Sequence, residues 1–285
     1  MSSRKTVVLV TGCSKGGIGF ALCEEFAAKG CVVYATARRP ESMEGFSHDG
    51  IRRLPLDVTK DDDVTKVVQT IIGEEGQIDV LVNNAGASTS SPLIDVDMDE
   101  IVRIFETNVF ATIRTARAVI PHMTSRKCGT IVNVGSVGGN IPNPWNGVYC
   151  ATKAALHSLT DVLYMECTPF NIHVVLLAPG AVKSNIATNQ AVRGIRLPPD
   201  SLYQDYFDSI LKKMTWSQES NPMPTEVFAQ KTVNALLQPK PPRYMSEGTM
   251  TSWYKIFEWL PRTWVLDYFW STLGEGPRKA AQNKK

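Results

Sequence analysis

The chain has 285 residues, a formal net charge of +2 and 43% hydrophobic residues, room for one large α/β domain with an appendage. The near-neutral balance argues against nucleic acid as a main partner. Six cysteines (Cys13, Cys23, Cys31, Cys128, Cys150, Cys167) and four histidines form no C-x-x-C pair and no metal-ligand spacing, so no metal site is expected, and the compartment is expected to be reducing.

Strand-like apolar runs then alternate with helix-like segments. Strands are expected at 7–10, 31–37, 51–56, 78–82, 130–134 and 173–177. Helical patterns fall at 20–29, 64–72, 101–123 (one helix or two) and 151–166. Runs of continuous Val, Ile and Leu suit strands buried on both faces of a parallel sheet. The alternation predicts a doubly wound, Rossmann-like α/β fold. Between 184 and 224 the regularity fails, and the mixed aromatic, proline-bearing stretch reads as a loop or lid.

Between the first strand and first helix lies Thr11-Gly12-Cys13-Ser14-Lys15-Gly16-Gly17-Ile18-Gly19. Glycines there allow a tight turn and bring backbone N–H groups to a pyrophosphate at the positive end of a helix. The second strand ends in Ala37-Arg38-Arg39, with no acid for a ribose 2′-hydroxyl. Arg38, Arg39 and Lys15 would attract a 2′-phosphate, which favours NADP(H) over NAD(H), although the same residues also suit a solvated basic turn. Asp57-Val58 follows the third strand. Asp57 either accepts from an adenine amino group or caps the segment beginning at Thr59. Asn83-Asn84-Ala85-Gly86 closes the fourth strand and on its own fits a plain turn.

Ser136 precedes Tyr149 by thirteen positions, and Lys153 follows Tyr149 by four, on one face of a helix. A free tyrosine titrates near pH ~10. A neighbouring ammonium favours the phenolate and would bring that value toward the working range. Ser136, from another segment, would hydrogen-bond the substrate oxygen. The trio has the means to protonate a carbonyl or deprotonate an alcohol.

Taken in order, these motifs resemble the short-chain dehydrogenase/reductase family over about residues 5–248: the glycine turn, Asn83–Gly86, Asn108, Ser136, Y-x-x-x-K, and Pro179-Gly180. One departure is that four residues, not three, separate Gly12 from Gly17, which opens the question of which glycine meets the pyrophosphate. The resemblance implies a catalytic tetrad of Asn108, Ser136, Tyr149 and Lys153. It also implies a nucleotide site comprising Gly12, Ser14, Lys15, Gly17, Ile18, Gly19, Arg38, Arg39, Asp57, Val58, Asn84, Ala85, Gly86, Pro179, Gly180, Val182 and Ser184, with Tyr149 and Lys153 touching the cofactor as well. In it Tyr149 exchanges the proton, Lys153 tunes Tyr149 and holds the nicotinamide ribose, and Asn108 supports a water linking Lys153 to solvent. A homodimer or homotetramer is expected on the same grounds.

Within the family, the Ala-Arg-Arg strand end, Asn221-Pro222-Met223-Pro224 and an aromatic, basic C-terminal extension look like the fungal 1-acyldihydroxyacetone-phosphate reductases. Reductases of steroids, retinoids or other bulky ketones share most of these features and form the second reading. A nucleotide-sensing protein and a lipid-surface coat protein are the non-catalytic alternatives. Tyr203, Tyr206, Phe207 and Trp216 favour an apolar guest, whereas Lys183, Arg193 and Arg196 either meet a phosphate or are surface charge.

A division is expected between a catalytic domain over 1–248 and an extension over 249–285. In the extension, Trp253, Ile256, Phe257, Leu260 and Trp264 recur at helical spacing opposite Lys255, Glu258 and Arg262. This pattern suits a helix lying in a membrane or lipid-droplet interface over 253–270, with Arg278, Lys279, Lys284 and Lys285 adding attraction to anionic lipid. The alternative is that the aromatic face covers the enzyme's own core or a partner subunit. The first residues, Met-Ser-Ser-Arg-Lys, are too short and wrongly ordered for a secretory signal, and no apolar run is long enough to span a bilayer. The expected location is therefore the cytoplasmic face of the endoplasmic reticulum or of lipid droplets, or else the cytosol.

Overall fold

The computed structural model describes residues 4–185 and 194–274. Among them, seven strands form one parallel sheet in the order β3-β2-β1-β4-β5-β6-β7. The strands are β1 Val7–Thr11, β2 Val32–Ala37, β3 Ile51–Pro55, β4 Val80–Asn83, β5 Gly129–Val134, β6 Ile172–Leu177 and β7 Tyr244–Met245. The order reverses between β1 and β4, so the carboxyl ends of these two strands open a crevice, where such sheets bind ligands.

The continuous apolar runs are explained by burial on both faces. Val8 and Val10 of β1 point to one side, where α1 (Ile18–Ala28) and α7 (Thr225–Leu236) supply Leu22, Phe26, Phe228 and Val233. Val7 and Leu9 point to the other, against Val64, Val67 and Ile71 of α2 (Asp61–Glu75) and Val119 and Met123 of α4 (Ala111–Arg126). A strand's alternating side chains must find apolar partners on both faces once helices cover both. Asp61, Asp62 and Asp63 occupy the first turn of α2, where acids complement the helix dipole, and Gly76 closes it in the left-handed conformation at φ 74°.

Four features differ from the sequence expectation. The 101–123 segment is α3 (Met98–Phe105) and α4 joined by a π-helical turn, Glu106–Phe110. The stretch read as a loop contains the helix α6 (Phe207–Glu219); its mix of charged and aromatic residues hid an apolar face carried by only a few positions. β7 was not expected, since two residues leave no periodicity to read. Finally, 253–264 is not one amphipathic helix. Pro261 cannot continue a helix, so α8 (Thr251–Phe257) ends before it and α9 (Arg262–Leu273) starts after it.

The two C-terminal helices fold back onto the body. Tyr254, Val265, Phe269 and Leu273 bury an inner face against Val137 and Ile141. Trp253, Ile256, Trp259, Leu260 and Trp264 are left on the outer surface. Arg193, Arg278, Lys279, Lys284 and Lys285 lie outside the described residues.

Candidate active site

The 21-residue helix α5 (Gly147–Cys167) carries Tyr149 and Lys153, and its first turns run beneath the loop leaving β5. Ser136 sits at the start of that loop, where its Oγ accepts from the Gly138 N–H at 3.1 Å and its hydroxyl lies in hydrogen-bonding reach of the Tyr149 phenol. The Lys153 ammonium is buried 5.7 Å from the centre of the Tyr149 ring and donates to the Val134 carbonyl at 2.7 Å. The structure thus brings Ser136, Tyr149 and Lys153 into one cluster at the carboxyl end of β5.

The electrostatics differ from the expectation that Lys153 brings the phenol down. Burial is the largest influence on Tyr149 and pushes it up to about 12, with the Ser136 hydrogen bond opposing in part. Burial also brings Lys153 down, to about 8. Both shifts express the same cost of placing charge in a desolvated cleft. At neutral pH Tyr149 is a neutral phenol, ready to give a proton.

Asn108 lies in the π-helical turn, a feature often found at functional sites. The bulge turns its side chain inward. Oδ1 accepts from the Ala87 N–H at 2.7 Å, and Nδ2 donates to the Ala87 carbonyl and to Thr152 Oγ1, both at 2.9 Å. Asn108 therefore ties the loop after β4 to α5. A Cβ on Gly86 would lie 3.5 Å from Asn108 Oδ1 and 3.8 Å from Lys153 Nζ, so the loop passes directly over both groups.

His157, one turn beyond Lys153, was not singled out in the sequence. Its Nε2 accepts from the Ser136 N–H at 3.3 Å and its Nδ1 pairs with Asn140 Oδ1 at 2.8 Å. The ring fills space where Cβ atoms on Gly135 and Gly139 would approach it to 2.4 and 2.6 Å. Burial and the Lys153 charge bring His157 down to about 4, so the neutral imidazole fixes the serine loop from below. The i, i+4, i+8 spacing Tyr149–Lys153–His157 was the signal for it.

At the crevice, the glycines of the β1–α1 turn separate by task. Gly12, at φ 72°, packs so closely on the loop after β4 that a Cβ would come 2.7 Å from the Ala85 Cα, and a Cβ on Gly19 would clash with Asn84 and the Gly12 carbonyl. Gly16 turns left-handed at φ 76° and makes room for Asn185, whose Nδ2 donates to the Lys15 carbonyl at 2.7 Å. At Gly17, the N-cap of α1, a Cβ would meet only the Ser14 carbonyl, at 3.1 Å. Gly17 and the N-terminus at Ile18 are therefore the part of the loop that fits a pyrophosphate.

Asn84 holds this turn from the side, its Nδ2 donating to the carbonyls of Thr11 at 2.8 Å and Gly12 at 2.9 Å. Arg38, Arg39, Ser14 and Lys15 are exposed around the end of β2. Asp57 resists its own burial: Oδ1 accepts from the Thr59 N–H and hydroxyl at 3.0 and 2.8 Å, and with Arg38 and Lys60 nearby the carboxyl stays below its usual range. Asp57 does not cap α2, whose N-cap is Lys60; it makes a local Asx turn. Val58 is buried beside it. On the opposite lip, the Pro179 carbonyl accepts from the Val137 N–H, and a Cβ on Gly180 would overlap the Thr249 carbonyl. Val182 pairs with Met223, and the Ser184 N–H donates to Gln218. These residues fit a dinucleotide.

A doubly wound sheet with a glycine turn at its switch point and a Ser–Tyr–Lys cluster across the crevice defines an oxidoreductase that interconverts CH–OH and C=O groups. The short chain dehydrogenase family pattern matches residues 6–193, and the chain belongs to that family. It is 37% identical over 236 residues to the short-chain dehydrogenase PC-15 of Penicillium crustosum, covering 82% of this chain and 85% of that protein. It is 35% identical over 254 residues to the NADPH-dependent 1-acyldihydroxyacetone phosphate reductase of Schizosaccharomyces pombe, covering 88% of this chain and 81% of that protein. The crystal structure of a short-chain dehydrogenase from Streptomyces avermitilis superposes with a TM-score of 0.78 at 29% identity, covering all of both chains.

Proposed function

We propose that the chain is an NADPH-dependent carbonyl reductase whose substrate is a 1-acyl-dihydroxyacetone phosphate, reduced to 1-acylglycerol 3-phosphate. The observation that carries this reading is a largely apolar cavity of about 310 Å³, lined by Pro92, Leu93, Trp145, Tyr203 and Trp270 with Ser91 and Asn143. Asn143, Trp145 and Gly147 of its wall belong to the segment joining Ser136 to Tyr149, which supports an apolar chain lodged there as part of the substrate. The reductase named in Schizosaccharomyces pombe supports the acyl-ketone reading. The equal likeness to a Penicillium dehydrogenase keeps a bulky hydrophobic ketone as the second reading.

In this reading Gly17 and the N-terminus of α1 hold the pyrophosphate, Arg38 with Arg39 and Lys15 holds the 2′-phosphate, and Lys153 holds the nicotinamide ribose. The bound nicotinamide supplies the hydride. Ser136 hydrogen-bonds the ketone oxygen and orients it toward Tyr149. The Tyr149 phenol gives its proton to that oxygen as negative charge develops there, and Lys153 offsets the charge left on the phenol. Asn108 and His157 keep the two loops in register.

The same reading assigns the catalytic domain to 1–248 and a membrane- or lipid-droplet-docking extension to 249–285. It also assigns homo-oligomer assembly to the exposed apolar residues Phe110, Ile113, Val162 and Met165 of the π-helical turn, α4 and α5. NADPH oxidation over a panel of phosphorylated, unphosphorylated, steroid and retinoid ketones tests the substrate class. Tyr149→Phe should retain NADPH binding while turnover falls at least about 10²–10⁴-fold. Near-normal turnover in that variant refutes the assigned proton donor.

A further inference from the structure

Lys213 lies where the pattern of its helix calls for an apolar residue. Ile210, Lys213 and Trp216 share the inward face of α6, and Lys213 is 8% exposed. Its ammonium stands 5.4 Å from the centre of the Trp216 ring, in the neighbourhood of the neutral Cys150 thiol. Among the described residues it forms no ion pair and no hydrogen bond. The acids of its own helix, Asp208 and Glu219, are exposed.

The surroundings make this cation more unusual. Cys150 follows Tyr149 in the first turns of α5, the positive end of that helix, which repels a second positive charge. A Cβ on Gly138 would lie 3.4 Å from Ser136 Oγ, 3.5 Å from Cys150 Sγ and 4.0 Å from the Tyr149 ring, so the Cys150 thiol lies close to the Ser136 hydroxyl and the phenol. Trp216 in turn packs against the cluster that Val137 and Ile141 of the serine loop form with the C-terminal helices. A largely buried lysine without an anionic partner is costly to keep charged, and its ammonium still reaches solvent where an anion could meet it. Burial drives Lys213 toward the neutral amine, and a bound anion would reverse that.

We infer that the Lys213 ammonium is the recognition point for an anionic, phosphate-type group of the substrate, held near the ketone while the apolar chain enters the aromatic cavity. This rests on the reductase reading and deepens it: the same site selects ketones that carry a phosphate. The exposed cations Lys183 and Arg196 have no such placement.

The test is calorimetric binding of dodecyl phosphate, dodecanol and inorganic phosphate to the NADP⁺-loaded protein and to its Lys213→Met and Lys213→Arg variants. Methionine keeps the length and packing of the stem while removing the charge, and arginine keeps the charge. A charge-assisted contact predicts that the unmodified protein binds dodecyl phosphate about 10- to 100-fold more tightly than dodecanol. Lys213→Met should lose that preference without weakening dodecanol, and Lys213→Arg should retain most of it. Inorganic phosphate should bind at least about tenfold more weakly than dodecyl phosphate, because the cavity contributes only when a chain is attached.

No preference in the unmodified protein, or an equal preference in Lys213→Met, overturns the inference. Equal affinity for inorganic and dodecyl phosphate overturns it too, by placing the anion outside the substrate cleft. If the Lys213-dependent preference holds while acyl-dihydroxyacetone phosphate is not reduced, the anion site stands and the particular substrate fails.

Discussion

At the scale of single residues, the cluster works through what each group is prevented from doing. Burial of Tyr149 and Lys153 costs both groups solvation, which in the proposed reaction favours direct proton transfer between the phenol and the substrate oxygen. His157 is held neutral so that its Nε2 can accept from the Ser136 N–H. A histidine whose folded pKa, about 4, lies below its unfolded value near 6.5 binds fewer protons folded than unfolded in that interval. Its contribution to stability is therefore fully present above about pH 6.5 and is lost as pH falls toward 4. The shift corresponds to roughly 3 kcal/mol. Thermal melts should show the protein losing markedly more stability between pH 7 and pH 4 than His157→Gln, and parallel losses in the two would remove His157 as the cause. Turnover of the folded enzyme should hold until pH approaches 4, where the imidazolium that begins to form cannot accept from the Ser136 N–H.

At the scale of elements, the β1–α1 turn, the end of β2 and the β4 loop meet because parallel strands deliver their carboxyl ends to one edge. That much was legible in the sequence: buried strands write themselves as unbroken Val/Ile/Leu runs, and Gly12 and Gly19 mark backbone approaches that a Cβ would forbid. The proximity of Ser136, Tyr149 and Lys153 was legible as a motif. The contacts of Asn108 were not, since a π-helical turn leaves no mark on residue spacing. Lys213 was hidden because α6 has too few apolar positions to announce its buried face, and Asn185 because its partner, Lys15, lies 170 residues away. The basic end of β2 carries the proposed cofactor preference. Arg38 is exposed, with Asp57 as its acidic neighbour, so it is poised between that carboxylate and an incoming phosphate. Losing one charge-assisted, bidentate contact costs about 1.5–3 kcal/mol. Arg38→Ala should lower the NADPH/NADH ratio of catalytic efficiency by about one to two orders of magnitude, and an unchanged ratio would strip Arg38 of that role.

At the scale of the whole molecule, the C-terminal helices face two ways, and the faces make different demands. The inner face is part of the enzyme: Trp145 Nε1 donates to the Leu273 carbonyl at 2.9 Å, and Arg262 donates to the carbonyl of Asn140, whose side chain holds His157. Removing the whole extension would therefore disturb the serine loop along with any surface it reaches. The outer face has no such duties, yet Trp259, Trp264 and Trp253 stand 90%, 68% and 60% exposed among Ile256 and Leu260. No helix among the described residues is long and apolar enough to cross a bilayer, and tryptophan is favoured at the membrane–water boundary. The proposed docking places this face in the lipid interface, where half-burying one tryptophan contributes about 2 kcal/mol. A triple Trp253→Ser, Trp259→Ser, Trp264→Ser variant should keep its melting temperature, because these side chains pack mainly against solvent. Its flotation with vesicles of phosphatidylcholine and phosphatidylserine should fall by more than about tenfold relative to the unmodified protein. Equal flotation of the two, or an unmodified protein that stays at the bottom of the gradient, would assign the aromatic face to a protein partner instead.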